Sequence, residues 1–252
     1  MLVAQISDIH ARPDLSSLRT LERAIGWLRT LRPDALVISG DLVDDGWRQG
    51  YRLIAESLQS LDCPVHLLPG NGDDVLLMRS ELAAVGTWTA ATGPMHFRAA
   101  ANGLTLCGID VTVAGESYGD VLSHLPWLMS TLSDVTTPVL LFMHQPPFRI
   151  GIEALDQVRC KNDGALLSNL EAMDRPPLGI LCGHVHRPVS GRLGSIPVQT
   201  CGSLCPSNPL LLDSRADLPV VDAPSFLVHD VSDGRLLSHV VSITASGEST
   251  TD

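Results

Sequence analysis

The chain has 252 residues, of which 44% are hydrophobic, and its formal net charge is −11. This acidic balance argues against binding along a nucleic-acid polymer, because such binding needs a clustered basic surface. The sequence has no apolar run of about 18 residues that suggests a membrane span, and its N-terminus lacks the basic region of a signal peptide. We therefore expect a soluble, cytoplasmic protein with a single domain over residues 1–252 and no membrane partner.

The first part of the chain alternates between short runs rich in Val, Ile and Leu and segments of helical period. The strands predicted here are Leu2–Ile6, Ala35–Ser39, Val65–Leu68, Leu104–Ile109 and Val139–Met143. Helices are predicted from Leu15 to Leu28, with Asp14 as the N-terminal cap, and at about 47–61, 75–84 and 126–132. This alternation is typical of an α/β fold with a largely parallel central sheet.

From Leu178 onward, the pattern changes to closely spaced strands. They are predicted at Leu178–Cys182, Val189–Leu193, Ile196–Thr200, Phe226–Val231 and Leu236–Ile243. The pair Asp233-Gly234 is a strong hairpin signal between the last two strands. We expect these strands to form a second, more antiparallel sheet. The proline-rich segment 203–224 shows no clear period and is predicted to be an extended arm or cap segment.

Polar residues with metal-ligating side chains follow five of the predicted strands. They are Asp8, His10, Asp41, Asn71, His144, His184 and His186. Ligands of open α/β sheets bind outside the carboxyl ends of the strands, so these side chains could meet in one place. Carboxylate, imidazole and amide ligands suit Zn, Mn, Fe or Co. The set exceeds the needs of one tetrahedral metal but fits two metals that share a carboxylate, for which Asp41 is the natural bridge.

Each of these motifs has an ordinary structural interpretation when it is taken alone. Gly40-Asp41 and Gly70-Asn71-Gly72 are common turn sequences, and Asp8 with His10 can occur by chance. Their occurrence together at the ends of five predicted strands favours a metal site. The remaining histidines, which are His66, His96, His124, His229 and His239, lack such partners and are predicted to be structural or surface residues. The six cysteines are scattered in apolar segments and indicate neither a disulfide framework nor a cysteine-based zinc site.

The ordered motifs resemble those of the calcineurin-like metallophosphoesterases. They are Asp8-Ile9-His10, Gly40-Asp41-Leu42-Val43-Asp44, Gly70-Asn71-Gly72-Asp73, His144-Gln145-Pro146-Pro147 and Gly183-His184-Val185-His186. Within that superfamily the chain looks like class III cyclic nucleotide phosphodiesterases and bacterial glycerophosphodiesterases. The resemblance implies a four-layer αββα sandwich with a mixed sheet pair and a C-terminal strand hairpin. It also implies a dinuclear centre, with one metal held by Asp8, His10, Asp41 and His186 and the other by Asp41, Asn71, His144 and His184.

The chain departs from the family pattern at two places. Gly72 stands where many relatives carry a histidine that approaches the phosphate and assists the leaving group, and Gln145 stands where close relatives often carry another histidine. A general acid commonly contributes about 100-fold to 10,000-fold to the rate. Some relatives that lack this histidine nevertheless act as phosphodiesterases, so its loss weakens the prediction of an efficient monoesterase more than that of a diesterase.

The expected activity is hydrolysis of a small phosphodiester, either a cyclic nucleotide such as cAMP or a glycerophosphodiester, by a metal-bridging hydroxide. Asp41, Asn71 and His144 are the expected catalytic residues. Asn71, Asp73, Arg12 and Arg187 are expected to contact the substrate, and Asp73 is a candidate to replace the missing acid. The alternatives are a phosphomonoesterase and a non-catalytic metal-binding scaffold of the same fold. The proline-rich arm is expected to reach a neighbouring subunit in a homodimer or a higher homo-oligomer.

Overall fold

The computed structural model describes residues 1–211 and 222–244. Its strands are β1 (Leu2–Ile6), β2 (Ala35–Ser39), β3 (Val65–Leu68), β4 (Phe97–Ala101), β5 (Leu104–Gly108), β6 (Gly119–Asp120), β7 (Val139–Met143), β8 (Cys160–Lys161), β9 (Gly179–Cys182), β10 (Val189–Leu193), β11 (Ile196–Thr200), β12 (Ser225–Ser232) and β13 (Arg235–Ser242). Its α-helices are α1 (Ser16–Leu31), α2 (Arg48–Leu58), α3 (Val75–Glu81), α4 (Leu125–Leu132), α5 (Glu153–Gln157) and α6 (Asp163–Glu171).

The strands form two large mixed sheets. The first has the order β13-β12-β1-β2-β3, and the second has the order β10-β11-β9-β7-β5-β4, while β6 and β8 form a small separate pair. Strands β1, β2 and β3 are parallel, as are β5, β7, β9 and β11. The expectation of one parallel sheet and a separate antiparallel sheet is therefore wrong. The C-terminal strands divide instead: β10 and β11 extend the second sheet, whereas the β12–β13 hairpin pairs with β1 of the first.

Three hydrophobic clusters show that the two sheets lie between two layers of helices. Helices α1 and α2 pack on one face of the first sheet, where Ala4 and Ile6 point. Val3, from the opposite face of β1, packs against Leu140 and Phe142 of the second sheet. Helices α4 and α6 cover the outer face of the second sheet. The alternating directions of side chains along each strand thus build the expected four-layer αββα sandwich.

Several predicted elements differ in detail from the structure. Helix α1 begins at Ser16, and Leu15 occupies its N-cap position in a left-handed conformation. Asp14, the residue before this N-cap, is not the cap itself, but its carboxylate accepts a hydrogen bond from the backbone N–H of Ser16. Helices α5 and α6 and strand β4 were not predicted.

The predicted arm has neither helix nor strand at residues 203–211 and 222–224, and the rest of it lies outside the described residues. The hairpin turn is confirmed, with positive φ angles of 51° at Asp233 and 71° at Gly234. None of the helices that the structure describes is both long and apolar enough to cross a bilayer.

Candidate metal centre

Sharp turns, not continued strands, bring most of the predicted ligands together. Five of them have left-handed backbone conformations, with φ of 54° at Asp8, 47° at His10, 53° at Asp41, 70° at His184 and 56° at His186. Asp and His tolerate this region better than most residues, although such a conformation still costs about 1 kcal/mol or more. The turns are held by backbone hydrogen bonds from Asp8 N to Gly40 O and from His10 N to Asp41 O. The paired ligands therefore converge through strained turns after the strands end.

Glycines let the turns approach each other closely. Gly40 has a φ of 106°, and a Cβ there would lie 2.3 Å from Nδ1 of His144. A Cβ on Gly70 would lie 2.2 Å from Oδ1 of Asp41. Both positions exclude a side chain, since real Cβ atoms do not approach heavy atoms that closely. These two glycines are thus part of how the ligand loops pack together.

One cluster of potential ligand atoms contains Asp8, His10, Asp41 and His186, all within 4.8 Å of one another. Nε2 of His186 lies 3.3 Å from Oδ1 of Asp8, and Nε2 of His10 lies 3.3 Å from Oδ2 of Asp41. The two Nε2 atoms are 3.0 Å apart. Facing imidazole nitrogens beside two carboxylates form a donor set that suits a divalent cation.

A second cluster contains Asp41, His144 and His184. Nε2 of His144 lies 3.3 Å from the same Oδ2 atom of Asp41 that His10 approaches. Within the described part of the chain, Nε2 of His144 and Nε2 of His184 are buried without a hydrogen-bond partner. Buried polar atoms normally have partners, so these two nitrogens fit the role of metal ligands. The two clusters therefore share Asp41.

The predicted ligand Asn71 lies beside the shared carboxylate. Gly72, the next residue, donates its N–H to Oδ1 of Asp41 at 2.7 Å. Oδ1 of Asn71 accepts a hydrogen bond from Nε2 of the buried Gln145 at 3.3 Å, and the same Nε2 also reaches Ser117 O. Gln145, which stands where close relatives often carry a histidine, thus orients Asn71.

The electrostatics of the first cluster favour added positive charge. Burial by itself lowers the pKa of His10, but the hydrogen bond and charge of Asp41, together with Asp8, raise it to about 10. Burial by itself also lowers the pKa of His186, but the charge of Asp8 acts in the opposite direction, and the net effect raises this pKa to about 11. The two carboxylates therefore attract cations strongly at this place.

The pKa values of the two histidines in the second cluster are shifted in opposite directions. Burial by itself lowers the pKa of His144, but the nearby charge of Asp41 raises it, and the resulting pKa is about 9. At His184, burial and the neighbouring His144 lower the pKa to about 4. Although burial by itself raises the pKa of Asp41, His144 and His10 hold it well below its usual range. His184 is therefore neutral at pH 7 and has an available nitrogen lone pair.

Two ligands have supporting partners that the sequence analysis did not identify. Nδ1 of His10 lies 2.6 Å from Oδ1 of Asp44, and Nδ1 of His144 lies 2.7 Å from the carbonyl oxygen of Ser39. Such partners place the proton on Nδ1 and leave Nε2 free for a metal. Asp44 could have been found, because it belongs to the Gly40–Asp44 motif. No sequence signal marks a backbone carbonyl such as that of Ser39.

His186 contacts a cysteine, which the sequence analysis did not expect. Sγ of Cys205 lies 3.3 Å from Nδ1 of His186, and the carbonyl oxygen of Pro206 lies 3.4 Å from the same atom. Cys205 also forms a group of potential ligand atoms with His10 and His186. Cys205 therefore lies beside the first cluster; the prediction that the sequence indicates no cysteine-based zinc site stays a prediction. The six cysteines are all free, as predicted.

Asp73 has a structural role and does not face the metal clusters as a free acid. Its carboxylate accepts hydrogen bonds from the backbone N–H groups of Leu42, Val43 and Gly70 and from the hydroxyl of Tyr51. Burial raises the pKa of Asp73 to about 6. These contacts count against the expected substrate contact and proton donation, because the carboxylate is already used to tie two ligand loops together.

The two candidate arginines lie in different surroundings. Arg12 is exposed and donates from Nε to Oδ2 of Asp44 at 2.5 Å, next to His10. Arg187 donates to the carbonyl oxygen of Asn208 at 2.8 Å and forms an ion pair with Asp222. The guanidinium of Arg187 is therefore engaged by the described ends of the arm, contrary to the expected phosphate contact.

The remaining histidines do not join the clusters found in the described residues. His66 contacts Thr87 and stacks on Phe97, and His229 is buried between Gln5 and Ser238. His96 stacks on Trp127, with ring centroids 4.1 Å apart, and His124 packs against it edge-on. His239 is exposed. Their predicted structural or surface roles are confirmed.

Comparisons with known proteins agree on a phosphoesterase family. The model of the calcineurin-like phosphoesterase family matches residues 1–188. A probable glycerophosphodiester phosphodiesterase of Arcobacter nitrofigilis is 30% identical over 243 residues, which cover 91% of this chain and 88% of the relative. A cAMP/cGMP dual specificity phosphodiesterase of Mycobacterium tuberculosis is 29% identical over 184 residues, which cover 69% of this chain and 55% of the relative.

Solved structures share the fold at low sequence identity. A dimetal phosphatase from Danio rerio matches with a TM-score of 0.72 and 15% identity, covering 97% of this chain and 99% of the other. GAP50, described as the anchor in the inner membrane complex of Plasmodium, matches with a TM-score of 0.64 and 16% identity, covering 96% of this chain and 84% of the other. These likenesses confirm the predicted sandwich.

Proposed function

Because the chain belongs to the calcineurin-like phosphoesterase family, we propose that it is a phosphodiesterase that hydrolyses a small phosphodiester with two divalent metal ions. The observation that carries this proposal is the sharing of Asp41 between two ligand clusters, with unpaired Nε2 atoms on His144 and His184. Relatives named as glycerophosphodiester and cyclic nucleotide phosphodiesterases support the substrate class.

The ligand assignment follows the two clusters. Asp8, His10, Asp41 and His186 would hold one ion, and Asp41, Asn71, His144 and His184 the other. Imidazole and carboxylate ligands accept Mn, Fe, Zn or Co. When bound, such ions would lower the pKa of a water molecule and neutralise charge on the phosphate.

The side chains around the ions would position the phosphate. The amide of Asn71 accepts a hydrogen bond from Gln145, and its neighbour Gly72 donates to Asp41, so Asn71 is the candidate to meet a phosphate oxygen there. Arg12 supplies a permanent positive charge beside Asp44, the partner of His10. An arginine binds an anion but does not donate a proton at neutral pH. This combination lets an acidic chain bind an anionic substrate.

Gly72 lies next to Asp41 and provides no proton donor for a leaving alkoxide. This loss slows any ester with a poor leaving group, whether it is a diester or a monoester. We rank cyclic nucleotides and glycerophosphodiesters ahead of phosphomonoesters as substrates because the relatives that match most of this chain are named as phosphodiesterases.

Turnover of four compounds would test the proposal. Bis-p-nitrophenyl phosphate, cyclic AMP, a glycerophosphodiester and p-nitrophenyl phosphate should be compared with Mn²⁺ added, for the wild type, Asp41→Asn and Asp134→Asn. Asp134 is an exposed carboxylate paired with Arg98, so its variant is a matched control. We expect diester hydrolysis that requires the metal and is lost only in Asp41→Asn. No metal-dependent diester hydrolysis by the wild type would refute the proposal.

The same experiment separates the alternatives. Faster hydrolysis of the monoester than of every diester would favour a phosphomonoesterase. A reconstituted protein that binds less than one metal ion per chain would favour a non-catalytic scaffold, since fold alone does not fix function. The cytoplasmic location and the homodimeric or higher assembly stay predictions.

A further inference from the structure

The segment Leu204–Asn208 lies directly behind two predicted ligands of the first metal cluster, and we call it the backing segment. The backbone N–H groups of Leu204 and Cys205 both donate to the carbonyl oxygen of Asp8, at 3.1 and 3.2 Å. Sγ of Cys205 and the carbonyl oxygen of Pro206 face Nδ1 of His186. The backing segment thus contacts both the Asp8 turn and the His186 ring.

His186 depends on this segment for the orientation of its ring. If Nε2 binds a metal, Nδ1 carries the proton and needs an acceptor. For His10 that acceptor is the carboxylate of Asp44, and for His144 it is the carbonyl of Ser39 at the end of β2. For His186 the acceptors belong to the backing segment, which is neither helix nor strand. Its position must therefore be fixed by other contacts.

The two hydrogen bonds to Asp8 O hold one end of the backing segment, and Arg187 supplies contacts at the Asn208 end. Its guanidinium donates to the carbonyl oxygen of Asn208 at 2.8 Å and pairs with Asp222, while Nδ2 of Asn208 donates to Val185 O at 3.2 Å. The Arg187 carbonyl is itself held by the hydroxyl of Thr200 at 2.6 Å. The side chain of Arg187 is only 12% exposed, so its interactions are poorly screened by water. Arg187 therefore fastens the end of the backing segment to the loop that carries His186.

We propose that Arg187 is a positioning residue for the metal site formed by Asp8, His10, Asp41 and His186. It acts by fixing the backing segment behind His186, and the site formed by Asp41, His144 and His184 does not depend on it. This inference rests on the proposed two-metal function. Loss of a partner that orients a metal ligand typically lowers metal affinity by about 10-fold to 100-fold.

Metal titration of the whole protein provides the test. The apo-protein would be titrated with Co²⁺ by calorimetry and visible absorption, which give the number of binding events and a dissociation constant for each. The variants are Arg187→Met, which removes both contacts, Arg187→Lys and Asp222→Asn. Both contacts come from Nη1 of Arg187, so lysine, which offers one charged nitrogen on a differently shaped side chain, should keep part of them and give an intermediate result. Arg98→Met is a matched control, because Arg98 also binds one carbonyl, of Thr131, and one carboxylate, of Asp134.

We expect two binding events in the wild type and in Arg98→Met. In Arg187→Met, one dissociation constant should rise about 10-fold to 100-fold while the other stays unchanged. Two unchanged constants, or an equal loss at both sites, would overturn the role of Arg187. If Arg187→Met does not fold, the same one-site criterion applies to Arg187→Lys and Asp222→Asn. Fewer than two events in the wild type would instead refute the two-metal function itself.

Discussion

Replacement of Gly72 by histidine should give the protein a proton donor that it lacks. A Cβ at Gly72 would be in tight contact with Oδ1 of Asp41, at 3.2 Å, and in ordinary contact with Oδ1 of Asp44, at 3.6 Å. Gly72 does not have a positive φ, so a side chain there needs no strained backbone. The added atom requires the Asp41 carboxylate to shift by a few tenths of an ångström. The imidazole would then project beside the shared carboxylate.

The expected gain depends on the leaving group. A positioned general acid contributes about 100-fold to 10,000-fold, which corresponds to about 3–5 kcal/mol of barrier. An alkoxide needs that proton, so kcat on a glycerophosphodiester or on an alkyl monoester should rise by about 100-fold or more in Gly72→His. p-Nitrophenolate leaves without protonation, so turnover of p-nitrophenyl esters should change little.

Steady-state kinetics on the paired substrates, with Gly72→Ala as the control, would measure this gain. Alanine adds the same Cβ beside Asp41 without an imidazole, so it reports the steric effect alone. Equal rates of Gly72→His and Gly72→Ala on the alkyl esters would refute the reasoning. An equal gain on both classes of leaving group would also refute it, because proton donation must discriminate between them.

Three further predictions concern stability and ligand support. Burial lowers the pKa of His229 to about 3, below the value of about 6.5 expected for the unfolded chain. The unfolded state therefore binds this proton first, and stability falls as the pH drops from about 6.5 towards 3. The loss from this residue at pH 5 should be about 2 kcal/mol; urea unfolding of the apo-protein should show a smaller pH dependence in His229→Gln than in the wild type, and an equal pH dependence would contradict the prediction. Asp44→Asn should weaken one metal site by about 10-fold to 100-fold in a chelator competition, because it weakens the support of His10; unchanged affinity would exclude that role. Tyr51→Phe should lower the free energy of unfolding by about 1–2 kcal/mol, since its buried hydroxyl links Asp73 to the N–H of Asp74; urea midpoints equal to those of the wild type would contradict it.

The contrast between the parts that could and could not be predicted has physical causes. Strand β4 was missed because Phe97–Ala101 is rich in alanine, yet Asn102-Gly103, with φ of 43° and 79°, is a hairpin signal that could have revealed it. The division of the C-terminal strands between two sheets could not be predicted, because a local pattern indicates a strand but not its neighbour. The roles of Arg187 and Cys205 depend on partners distant in sequence, for which no local pattern exists.

The two-residue spacing of the ligand pairs does not come from an extended strand. An extended segment would place alternate side chains on one face. Asp8 and His10, like His184 and His186, instead have left-handed conformations, and each pair encloses an apolar residue that is fully buried, Ile9 or Val185. Burying such a side chain contributes about 1.5–3 kcal/mol, which is enough to offset much of the strain in the turn around it. The apolar residue between two ligands is therefore an anchor, and it explains why each pair retains its geometry at the point where regular strand structure ends.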